Sequence, residues 1–107
     1  MSSTLSPHIF RRWSHSFEED AADVLVYRPA EHPFPRARGR DGIELSPDGT
    51  FIEWVVGRGD ARQPIAGRWQ EEAPGRVRVA FDGAARAPQA LEIVASDPDV
   101  LKVRRHA

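Results

Sequence analysis

The chain contains no cysteine. That excludes disulfides, thiolate metal sites and cysteine nucleophiles together. Lysine is nearly absent as well: Lys102 stands alone against fourteen arginines. The positive charge therefore sits on planar, bidentate donors suited to carboxylates and phosphates. Fifteen basic and sixteen acidic residues are mixed along the chain and leave a net charge of −1. No broad field exists to steer nucleic acid or anionic lipid, and neither is expected as a partner. No apolar run approaches the roughly 18 residues of a membrane-spanning helix. Residues 1–7 lack the charged-then-apolar order of a secretory leader and are expected to be flexible, so a cytoplasmic location follows by default. The glycine patterns of a nucleophile elbow, a Walker loop and a dinucleotide fold are all missing. His8, His32 and His106 are scattered without ligand spacing. Neither a cofactor nor a metal is expected, and an enzyme ranks last among the function classes.

What is present supports one domain over 1–107, since a second core needs roughly 50 residues more. Helical periodicity is confined to 16–22, where Ser16 and Glu19 have the spacing of a capping box and Glu18, Glu19 and Asp20 suit the positive end of a helix dipole. The rest reads as strands and turns. The strand segments are 9–14, 24–27, 42–45, 50–56, 64–70, 76–81, a run around Leu91 and Ile93, and 100–105. In 76–81 the alternation is strict, with Val77, Val79 and Phe81 on one face and Arg76 and Arg78 on the other. Ser46-Pro47-Asp48-Gly49, Pro74-Gly75 and Asp82-Gly83 are turn sequences. Three prolines (Pro29, Pro33, Pro35) make 28–39 an extended loop, with Phe34 to anchor it. About eight short strands on short connections predict an all-β fold, an antiparallel up-and-down barrel whose closure removes exposed edges.

Three features carry a resemblance to a known family. Trp13 precedes the short helical segment and the first long strand. Asp48-Gly49-Thr50-Phe51 and then Gly67-Arg68-Trp69 lie in the meander, and Arg104 and Arg105 close the last strand. With these the chain resembles a small bacterial member of the calycin superfamily, the lipocalin-like barrels. It departs from them in length and in carrying Arg11-Arg12-Trp13 where Gly-x-Trp is usual. The resemblance implies an interior that takes a small apolar ligand. It also implies a first-strand tryptophan packed under an arginine from the barrel's end, and parity with Leu101 and Val103 makes Arg105 the candidate to cover Trp13.

Three clusters can carry function. His15 beside Glu18 is raw material for a general base; the alternative is a capped turn on the barrel rim. Arg28, Arg36, Arg38 and Arg40 can meet a carboxylate or phosphate, or can pair with Glu18, Glu19 and Asp20 and lock the loop to the helix. Trp54 and Trp69, with Tyr27, either line a mouth or pack the core. Glu53 has an undecided direction; turned inward, it needs an arginine partner and marks a site. The leading expectation is a ligand-binding barrel with an apolar pocket and an arginine at its mouth, holding a small apolar or acidic molecule through Tyr27, Arg28, Arg38, Arg40, Trp54, Trp69, His15 and Glu18. The rival is a filled-core structural or interaction module that binds a protein partner or a second copy of itself as a homodimer, with outward tryptophans as hot spots.

Overall fold

The computed structural model describes residues 5–37, 39–57, 62–84 and 86–106. Its strands are β1 (Arg12–His15), β2 (Leu25–Pro29), β3 (Gly42–Leu45), β4 (Thr50–Val56), β5 (Arg62–Ala73), β6 (Arg76–Phe81), β7 (Gln89–Asp97) and β8 (Val100–His106). They close into an antiparallel barrel in the order β1-β2-β8-β7-β6-β5-β4-β3, the all-β closed barrel that the strand count predicts. From β3 to β8 every neighbour pair is consecutive in the chain. Two neighbour pairs are not consecutive: β1 pairs with β3, so that β2 and β3 flank β1 on its two sides, and β2 closes the barrel against β8. Residues 30–41 must therefore cross β1, and their prolines keep them out of the ladder. Among the described residues no helix is long and apolar enough to cross a membrane.

Two elements differ from the sequence expectation. The helix expected at 16–22 is a single 3₁₀ turn, Phe17–Glu19. The Ser16 hydroxyl donates to the Glu19 carboxylate at 2.7 Å instead of capping a backbone N–H. The chain has to re-enter the sheet at Leu25, and Asp20 helps it do so by accepting the Val26 N–H at 2.9 Å. The first strand starts at Arg12 rather than at 9. Pro7–Ile9 is a 3₁₀ turn that puts Ile9 fully into the core, where its carbonyl accepts the Trp13 indole N–H at 3.0 Å.

Alternation fills the interior. Trp13, Tyr27, Ile43, Phe51, Val77, Leu91 and Leu101 all lie in one buried cluster. The tryptophans of β4 and β5 part company, because Phe51 and Glu53 of β4 are buried while Trp54, in the opposite phase with Ile52, is half-buried on the outer face. Trp69 shares the phase of Gly67 and packs against the core, stacking on Phe10 at 5.8 Å. Trp54 and Trp69 therefore do not build one mouth. Arg105 also departs from expectation. It does not cover Trp13; that ring has Arg11 over it at 5.6 Å, because Arg105 is drawn to a buried carboxylate described below.

Gly67 shows how tightly the barrel is filled. It is paired with Phe51 on one side and Phe81 on the other, and the two rings meet edge to face at 5.9 Å. A Cβ at this position would lie 2.5 Å from the Ala80 carbonyl oxygen, a backbone atom that cannot step aside. Gly67→Ala is expected to cost about 1–3 kcal/mol, read as a lower midpoint in thermal unfolding; an unchanged midpoint would contradict this packing.

Candidate functional site

The register answers the question of Glu53. It pairs with Ile43 and with Ile65, both apolar, and is 4% exposed. A carboxylate in that setting must be matched by a cation and by hydrogen bonds. Arg105 supplies both, with Nη1 3.2 Å from Oε1 and Nη2 3.1 Å from Oε2. The same guanidinium donates to the Gln89 side-chain oxygen at 3.0 Å and to the Tyr27 phenol oxygen at 2.9 Å. Arg86, from the loop between β6 and β7, adds a second ion pair to Glu53 at 3.2 Å. Burial opposes the Arg105 charge, but Tyr27 and Glu53 outweigh it and hold the pKa above the ordinary arginine value. Burial likewise pushes the Tyr27 phenol up, with Arg105 acting against it.

This network sits where β4, β6 and β8 end and β5 and β7 begin. Beside it opens a depression of about 440 Å³ bordered by Arg86, Ala87, Pro88, Gln89, Arg105 and His106. It joins two guanidinium groups to apolar wall atoms, the mixture typical of small-molecule sites.

Next to Tyr27 lies a second polar group. The His15 ring stacks on the Tyr27 ring at 4.9 Å. Its Nδ1 is 2.8 Å from Asp41 Oδ1 and its Nε2 is 2.9 Å from Asp20 Oδ2. With a carboxylate on each nitrogen the ring is suited to the imidazolium form, which donates from both. Burial lowers the His15 pKa, but the two aspartates, Asp41 foremost, carry it above the ordinary histidine value. Asp41 is held below its ordinary value because the His15 bond and charge outweigh its own burial. The carboxylates approach the ring from different nitrogens and do not converge on one point. Among the described residues no group of His, Asp and Glu side chains is arranged to hold a metal ion.

The remaining residues singled out from the sequence lie around this end. Arg40 forms a two-pronged ion pair with Glu18 at 2.8 and 2.6 Å. It also donates to the carbonyls of His15 and Pro35 and lies between the rings of Phe17 and Phe34 at 4.7 and 4.4 Å. Arg28 forms the matching pair with Glu19 at 2.9 and 2.7 Å. Arg28 and then Ser16 hold the Glu19 carboxyl down at about 2. Both arginines are thus engaged in pinning the loop that crosses β1 and the Phe17–Glu19 turn, the intramolecular alternative posed by the sequence. Tyr27 and His15 meet in the network, Trp54 lies outside the barrel, and Trp69 packs into the core. Arg38 falls outside the described residues. Sequence reasoning missed Arg86 and Gln89, which sit outside any clear pattern, and assigned Arg105 to Trp13 although its inward parity with Leu101 and Val103 was legible.

The pKa directions set a pH window. A histidine whose value is raised in the fold contributes fully below its unfolded value near 6.5 and loses that contribution as pH rises through the folded value. Asp41, lowered in the fold, contributes above 3.8 and loses it as pH falls. The pair is expected to stabilise most between about pH 4 and 6.5. Unfolding midpoints should fall from about pH 6 to pH 9 in the wild type and fall less in His15→Gln; parallel curves for the two would refute the charged His15 bridge. Comparison with protein-family models, curated proteins and solved structures finds no match to this chain, so the chemistry of the site is read from its own residues.

Proposed function

We propose that this protein is a small-ligand-binding barrel of calycin-like type. On this reading it receives an acidic head on a short apolar body at the end where Arg86 and Arg105 meet. The observation that carries the reading is the convergence of two guanidinium groups on the buried Glu53. Such a clamp suits any carboxylate, and Arg86 reaches Glu53 through one contact at 3.2 Å, so its fork retains donors for a second acid. The body would lie in the depression along Ala87 and Pro88. Trp13, Tyr27 and Phe51 occupy the deeper interior, which limits the ligand to the barrel end and favours a short chain over a long one.

Calorimetric titration with decanoate tests this. Wild type is expected to bind saturably, Arg86→Ala about tenfold more weakly, and Glu53→Gln about tenfold more tightly because the internal competitor is gone. Absence of saturable heat in both wild type and Glu53→Gln would remove the ligand reading. The packed interior would then favour the rival, a filled-core module that self-associates, whose signature is a two-chain mass by light scattering.

A further inference from the structure

A second place on the molecule gathers positive charge, outside the barrel and independent of the reading above. The segment that crosses β1 stands off the sheet and leaves a groove of about 500 Å³. Arg12 and Ser14 of β1 form its floor, Phe34 and Arg36 one wall, and Arg40 and Arg62 complete it. Among the described residues no aspartate or glutamate lines it.

The pairing of arginines across the molecule makes this groove unusual. Among the described residues, Arg11, Arg28, Arg40, Arg76, Arg78, Arg86, Arg104 and Arg105 each meet a carboxylate. Arg12, Arg36, Arg62 and Arg68 meet none there, and the first three of these line the groove. Arg40 spends its charge on Glu18. The Arg12 guanidinium lies over the Trp54 ring at 4.0 Å, which fixes its position without neutralising it.

We propose that this groove is an anion site for an oligophosphate group, either free or carried by a nucleotide. Three guanidinium forks that meet no carboxylate among the described residues surround one space and repel each other, and a single carboxylate offsets only one of them. An oligophosphate carries several negative charges on adjacent tetrahedral groups, each able to accept two parallel N–H bonds from one fork. The Ser14 position on the floor adds a hydroxyl donor of the kind phosphate oxygens accept. The isolated location, with a net charge of −1 over the chain, favours a small ligand over a long nucleic acid, which needs a continuous basic track.

Trp54 supplies a built-in reporter, since an anion drawing Arg12 towards the groove changes the contact on its ring. The protein is titrated with sodium tripolyphosphate and, separately, with ATP, following heat and tryptophan emission. Wild type is expected to saturate with both. Arg36→Ala and Arg62→Ala should each weaken binding about tenfold or more, while Arg68→Ala leaves it unchanged. Trp54→Phe should remove the emission change and keep the heat. Equal affinities for the two ligands assign the site to free oligophosphate, and tighter ATP binding assigns it to a nucleotide; both results support the site. Equal weakening by Arg68→Ala and Arg36→Ala would show diffuse screening and overturn it, as would the lack of saturation by wild type up to about 10 mM. The groove and the barrel end share no lining residue, so failure of either reading leaves the other standing.

Discussion

Glu53 projects from β4 between Ile43 and Ile65, and the arrangement at that end of the barrel follows from compensating its charge. Removing one partner of a buried ion pair typically costs about 3–5 kcal/mol, because the other charge is stranded. Arg105 is therefore committed to Glu53, and its remaining donors fix Tyr27 and Gln89. Tyr27 in turn offers its face to His15, and His15 ties Asp41, just ahead of β3, to Asp20, just ahead of β2. One charge inside the barrel thus organises residues from β1, β2, β4, β7 and β8 and from the segments beside them.

The crossing segment 30–41 is held by a different device. Proline keeps its middle out of the ladder, so beyond a few backbone bonds such as His15 N–H to the Asp41 carbonyl it is held by side chains. Arg40 answers with its two-pronged bond to Glu18, two carbonyl bonds and contact with two aromatic rings. Such a guanidinium is used up in holding structure. The distinction between arginines already satisfied and arginines left over is what separates clamp from site on this surface, and a chain with fourteen arginines and one lysine allows both uses from one residue type.

The two regions proposed to bind differ in physical character. At the barrel end, two guanidinium groups share one buried carboxylate beside apolar wall, so an incoming acid competes with Glu53 in a partly desolvated setting. In the groove over β1, Arg12, Arg36 and Arg62 meet no carboxylate among the described residues, so attraction is longer in range and more easily screened by salt. The first favours a ligand with one head and an apolar body, the second a compact polyanion.

The strand pattern was legible because alternation is local: Val77, Val79 and Phe81 announce one face without reference to any other part of the chain. Turn chemistry at Asp48-Gly49 and Pro74-Gly75 was equally local, and together these settled an all-β barrel of about eight strands. Position 53 was not legible in the same way, since a charged residue in phase with Phe51 satisfies either face until its partner is known. The partner, Arg105, lies 52 residues away, and Arg86 comes from an irregular loop. Nor does parity reveal that β1 inserts between β2 and β3, which is what lifts residues 30–41 across the outside and brings Arg12, Arg36 and Arg62 around one groove. Periodicity along the chain determined the barrel; closure, which pairs distant residues by register, decided which charges are buried, which are matched and which remain free.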